Sequence, residues 1–121
     1  MTAFEGILSD EEISQVVQYV RNISGQDHDA TLAAAGEEVY LYNCAACHAE
    51  DGAGDPFLGA PNLTDAIWLY GGSEEAIEYT VRNARFGVMP PWSADASEAG
   101  RLSEAEVRSV AVYVHSLGGG Q

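Results

Sequence analysis

Apolar residues recur at three- and four-residue steps in four stretches of the chain, and no stretch alternates long enough to make a strand. From Ser9 to Ser24 the positions Ile13, Val16, Val17, Val20 and Ile23 share one helical face, Ser9 and Glu12 form a capping box, and Gly25 ends the run. Residues Gln26 to Thr31 are polar and read as a linker. A second helix is predicted from Leu32 to Cys47, with Gly36, Val39, Tyr40, Asn43, Cys44 and Cys47 along one side. A third is predicted from Ser73 to Asn83, with glutamates in its first turn. The last begins at Ser103, where Glu106 completes another capping box, and runs through Val107, Val110, Val114 and Leu117 to Gly118. Between His48 and Asp65 the pattern dissolves into Gly, Pro, Asp and Asn; such a stretch is uncommon inside a compact domain unless it covers something. The segment FGVMPPW is extended, forced by two adjacent prolines. The predicted fold class is all-α.

The first and last helices echo each other. Leu8, Ser9, Glu12, Ile13, Val16, Tyr19, Val20 and Ile23 match Leu102, Ser103, Glu106, Val107, Val110, Tyr113, Val114 and Leu117 without a gap. Upstream, Met-x-x-Phe ending at Phe4 answers Met-x-x-Trp ending at Trp92. Repeats of this kind imply repeated structural units. Residues 1–25 are therefore expected to be the C-terminal helix of a preceding, truncated domain of the same type. The linker would be 26–31, the main domain 32–118 and the tail 119–121.

Composition narrows the partners. Nineteen acidic residues face five arginines and no lysine, for a net charge of −14. Phosphate contacts need a basic face that this chain cannot build, so nucleic acid is excluded. A charged docking partner is expected to be basic, with association weakening in salt; the same charge also serves solubility or a saline habitat. No apolar run approaches the roughly 20 residues of a membrane span, so the chain itself is expected to be soluble. The opening MTAFEGILSDEE has no secretion signal.

The chemistry lies in Cys44-Ala-Ala-Cys47-His48, the c-type haem attachment motif. Two thiols three residues apart on a helix point the same way, so each can form a thioether with one haem vinyl, and the next residue sets an imidazole under the iron. A structural zinc site would need four ligands, and His28 and His115 are the only spare histidines. A thioredoxin-type dithiol follows a strand, and here the preceding residues have helical periodicity. A plain disulfide leaves His48 unexplained. One covalent haem c is the expected cofactor, with His48 and Met89 as axial metal ligands. Met89 lies in the proline-stiffened segment between the last two helices; its rival role is core filling. A ligating imidazole needs an acceptor on its outer nitrogen, and the Pro61 carbonyl is the candidate. For the haem propionates the available donors are Trp68, Tyr70, Arg82, Asn83 and Arg85, with Arg85 preferred. Trp68 and Trp92 are expected to pack on the haem. No catalytic residue is expected.

In these residues the chain resembles a class I cytochrome c domain over roughly residues 32–118. In particular it resembles the second haem domain of the diheme subunit of cbb3-type cytochrome c oxidases, on NCAACHAEDGAG, GAPNLTDAIWLYGG, RFGVMPPW and VAVYVHSLGG. The resemblance implies three main helices around the haem, with Gly36 and Tyr40 packed against Val110 and Tyr113. It implies membrane anchoring of the parent, oxidase redox subunits and a small basic electron donor as partners, and electron delivery toward a haem-copper centre. Because attachment to CxxCH takes place outside the bacterial cytoplasmic membrane, a periplasmic location is expected, with export encoded upstream. Three departures stand out: no membrane helix, Thr2 where proline usually follows the methionine, and no lysine-rich rim. The expected role is electron relay, not catalysis by the chain itself. The alternatives are a mobile carrier or dehydrogenase subunit, and a haem sensor or peroxidase.

Overall fold

The computed structural model of the chain describes residues 1–85, 87, 91–93 and 102–119. Among them are helices α1 (Asp10–Ile23), α2 (Ala30–Asn43), α3 (Ala45–His48), α4 (Glu74–Asn83) and α5 (Glu104–Val114), the last followed by a π-helical turn over His115–Gly119. Strand-type pairing among the described residues is limited to isolated bridges. The class is all-α, and the four predicted helices are present. The chain divides into two compact units, Met1–Phe86 and Gly87–Gln121.

In the first unit, α1 starts at Ser9. Its hydroxyl accepts from the Glu12 amide at 3.2 Å, and the Glu12 carboxylate accepts from the Ser9 amide at 2.8 Å. That exchange satisfies two otherwise orphaned donors, and the Ser9 amide holds the Glu12 carboxyl below its usual range. The face of α1 buries Ile13, Val16, Val17 and Val20, and also Gln18. Burying an amide is unfavourable without a partner; the Gln18 Oε1 accepts from the Asp29 amide at 2.9 Å. Asp29 in turn caps α2, its carboxylate accepting from the Thr31 and Leu32 amides. The turn is fixed further by Arg21, whose Nε donates to the Asp27 carbonyl at 2.8 Å.

α1 crosses α2 at Gly36. A Cβ at that glycine would lie 2.0 Å from the Gln15 carbonyl oxygen and 3.0 Å from the Tyr19 Cβ, so the two backbones are in contact. One turn on, the Tyr19 and Tyr40 rings meet with centroids 5.0 Å apart. Within the first unit, Gln15 and Tyr19 of α1 lie against Gly36 and Tyr40 of α2. Tyr19 occupies the position in the echo that Tyr113 occupies in the last helix.

α4 completes the core with Ile77 and Val81, which join Ile13, Val16, Val17, Val20 and Tyr40 in one buried cluster. The carbonyls of its last turn have no helical donors. Those of Val81 and Arg82 accept from the Phe4 and Glu5 amides at 3.0 and 3.1 Å. Beside them the Arg82 guanidinium bonds Glu5, Asp10 and Glu78, each at 2.8 Å. Single exposed ion pairs contribute little, but this group ties the approach to α1 onto the end of α4.

In the second unit, the Leu102 amide donates to the Trp92 carbonyl at 3.1 Å, and Ser103 and Glu106 form a capping box. The first unit repeats this: the Leu8 amide donates to the Phe4 carbonyl at 3.0 Å ahead of Ser9 and Glu12. The echo therefore extends from side chains to backbone. Yet α1 buries its apolar face, while α5 buries none of its residues. No described helix is long and apolar enough to cross a membrane.

Gly36→Ala should lower the unfolding free energy by about 2–3 kcal/mol, because its methyl meets backbone and not a movable side chain. A urea titration followed by helical circular dichroism checks this; an unchanged midpoint would contradict the close crossing.

Candidate haem attachment site

The Cys44 amide still bonds the Tyr40 carbonyl at 2.8 Å, but Cys44 turns out of the helix at φ −119°, and α3 begins at once. The predicted helix to Cys47 is thus interrupted after Asn43. Within the short turn the Cys47 and His48 amides both donate to the Cys44 carbonyl, at 3.1 and 3.0 Å. Both cysteines are free thiols, Cys44 half-buried and Cys47 exposed. Burial, reinforced by Cys47, pushes the Cys44 thiol up to about 11.

His48 is held from one side. Its Nδ1 lies 3.0 Å from the Pro61 carbonyl oxygen. A carbonyl can only accept, so Nδ1 carries the proton and donates, which leaves Nε2 with a lone pair for a metal. A proline at that position has no amide of its own to compete for the carbonyl's neighbourhood.

The segment joining His48 to Pro61 is compact. Ala49 sits at φ +63° and ψ 161°, a region that costs an L-residue about 1–3 kcal/mol. Its carbonyl accepts from the Tyr40 hydroxyl at 2.8 Å. The Gly54 amide donates to the His48 carbonyl at 2.9 Å, and Leu63 donates to the Gly52 carbonyl at 2.8 Å. Gly54, at φ +80°, lies so close to the facing strand of the loop that a Cβ would be 2.5 Å from the Ala60 oxygen and 2.7 Å from the Pro61 oxygen. Asp51, Asp55, Asn62 and Asp65 each accept from the amide two residues on. These side-chain turns supply the order that the helical pattern does not.

Phe57, Leu58, Ile67 and Leu69, in the stretch that carries Pro61, are between 61% and 96% exposed. Large apolar side chains grouped in this way mark a surface that something covers. Two free thiols, an imidazole with an open Nε2 and this apolar stretch together suit a flat, largely apolar macrocycle attached covalently.

The remaining predicted residues are distributed as follows. Trp68 is half-buried against the core cluster, with its ring over Gly72. Arg85 stands between two rings, its guanidinium carbon 5.1 Å from the Tyr70 centroid and 4.6 Å from that of Tyr79. Its Nη1 also donates to the Tyr70 carbonyl at 3.1 Å. Arg82 is engaged by three carboxylates and is not available as a propionate donor, while Asn83 bonds back to the Tyr79 carbonyl. Trp92 is exposed. Met89 lies outside the described residues. Sequence reasoning missed the Tyr40 hydroxyl and the close approach at Gly54. The only signal was that Tyr40 stands where the helix pattern asks just for an apolar residue.

An all-α chain with an attachment turn of this geometry fits a c-type cytochrome domain. The sequence model of the cytochrome c family matches residues 33–118, and the chain belongs to that family, for which covalently bound haem c is implied. It is 61% identical over 117 residues to the cbb3-type cytochrome c oxidase subunit CcoP of Cereibacter sphaeroides, covering 97% of this chain and 38% of the relative. It is 55% identical to the subunit CcoP of Rhodobacter capsulatus, covering 95% of this chain and 39% of the relative. With the subunit FixP of Azorhizobium caulinodans the identity is 48%, covering 100% of this chain and 40% of the relative. The chain thus spans about two fifths of the length of these curated relatives.

Gly54→Ala should push the Pro61 carbonyl away from Nδ1. The expected result is faster solvent exchange of the His48 Nδ1 proton by NMR, with a loss of stability of about 1–3 kcal/mol. Unchanged exchange would show that the loop can shift without disturbing the imidazole.

Proposed function

We propose that this chain is an electron-transfer module holding one haem c, and that it acts as a relay within a cbb3-type oxidase subunit. The observation that carries the reading is the bond from His48 Nδ1 to the Pro61 carbonyl. It orients the ring and raises the basicity of Nε2, as an outer acceptor does for a ligating histidine. Cys44 and Cys47 would each hold the group through a thioether, and His48 would ligate its iron. Met89 would be the second ligand from this chain; the prolines that follow it in sequence restrict the backbone on its C-terminal side. When bound, haem c supplies a one-electron change between ferric and ferrous iron.

The residues around the attachment turn serve that change by holding still. The capped, buried α1–α2 pair sets the turn, and the loop to Pro61 fixes the imidazole, so little has to move between the two charge states. Were His48 and Met89 both to ligate the iron, no position on it would be left for a substrate, which suits electron relay. Among the described residues Arg85 has no carboxylate partner, which supports it as the propionate contact. Trp68 would pack beside the group.

Similarity to the oxidase subunits supports other subunits of that complex as the physiological partners, and a periplasmic setting. The charge of −14 supports a basic electron donor.

In the matured protein, pigment should resist acid extraction, and Cys44→Ser with Cys47→Ser should abolish that resistance. Met89→Ala should lower the reduction potential by a sizeable part of the roughly 0.8 V over which axial ligands move haem potentials. An unchanged potential would remove Met89 from the ligand set. Ready binding of carbon monoxide by the reduced wild-type protein would favour a sensor or peroxidase over a relay.

A further inference from the structure

We propose that Tyr40 is a positioning residue for His48, acting through its hydroxyl and not through its ring alone. The proposal rests on the haem c reading given above and extends it to a residue outside the attachment motif.

Tyr40 is fully buried in the core cluster. The cluster asks only for an apolar ring, which phenylalanine would supply; the hydroxyl is the excess. A buried hydroxyl is unfavourable unless it is hydrogen-bonded. Its partner is the Ala49 carbonyl, 2.8 Å away, immediately after the ligand. The same oxygen is 3.5 Å from the His48 carbonyl. Ala49 holds a positive φ without being glycine, so an external tie is needed to keep the chain there.

The connection to the imidazole then runs in short steps. The His48 carbonyl is held by the Gly54 amide at 2.9 Å. The Gly54 α-carbon abuts the Pro61 carbonyl, and that carbonyl takes the His48 Nδ1 proton at 3.0 Å. Loosening the Ala49 carbonyl frees the first residue of this loop and so weakens the acceptor that fixes the ring. Packing alone would make Tyr40 replaceable by phenylalanine; the route through Ala49 makes it not so.

The test uses the haem-loaded protein and the variant Tyr40→Phe, which preserves the ring in the core. Acid-resistant pigment and helical content should match wild type. The Gly54 amide should exchange about tenfold faster, as expected for losing one buried hydrogen bond. The reduction potential should rise and the His48 ring-proton shifts of the ferric protein should move, because a weaker acceptor leaves the imidazole less basic. In an Ala49→Gly background the residue adopts its φ without strain, and the effect of Tyr40→Phe on the potential should fall by at least half. An unchanged or lowered potential with unmoved His48 shifts overturns the proposal, as does an effect of equal size in the Ala49→Gly background. If Tyr40→Phe matures without pigment, the double variant decides: recovered attachment supports the proposal and continued failure overturns it. A wild-type chain without acid-resistant pigment would instead overturn the haem c reading on which the proposal stands.

Discussion

Backbone contact between α1 and α2 at Gly36 is the constraint from which the rest of the first unit follows. With no side chain at Gly36, the Gln15 carbonyl lies where a Cβ would be. At that separation the Tyr19 and Tyr40 rings meet at 5.0 Å, tilted by 42°, and the Tyr40 side chain is fully buried. Burial of Tyr40 in turn directs its hydroxyl to the turn after the attachment motif. The close crossing encloses the Tyr40 ring, and the hydroxyl at its far end has the Ala49 carbonyl as its partner. The packing of the helix pair and the orientation of the imidazole are therefore one geometric problem.

The loop solves the remaining part with polar groups rather than apolar ones. Asp and Asn side chains close successive turns, and glycines take the positive φ values except at Ala49. This leaves Phe57, Leu58, Ile67 and Leu69 without a role in holding the loop, and they are exposed. A loop ordered by its own backbone, displaying apolar side chains it does not need for folding, is arranged to receive an apolar group. The strain at Ala49 belongs to the same arrangement, since it lies at the residue joining the ligand to the loop.

The helices and their caps were legible because they depend on local rules: Ser9 with Glu12, Ser103 with Glu106, and apolar residues at helical spacing. The attachment motif was legible because its chemistry demands adjacent residues. What a helix packs against was not, since helical spacing shows which face is apolar and not which backbone meets it; that Gly36 abuts Gln15 is visible only in the fold. The break after Asn43 was missed because Cys44 continues the helical spacing while leaving helical geometry. Arg82 read as one arginine among several; three carboxylates distant in sequence or on the neighbouring turn converge on it only in the fold. The Tyr40 hydroxyl was hidden because an aromatic at a core position already has a sufficient explanation.

In a chain with 19 acidic residues and five arginines, an exposed guanidinium should readily find a carboxylate. Arg21, Arg82 and Arg108 each do. Arg85 does not among the described residues, and the reason is mechanical: stacking on the Tyr70 and Tyr79 rings and donation to the Tyr70 carbonyl fix its plane. A guanidinium has five donors, and this geometry commits one of them. The chain thus holds a rigid, charged fork at the end of α4, on the sequence side that leads to Met89. Under the proposed haem c reading, an arginine so placed would suit a carboxylate that arrives with the cofactor.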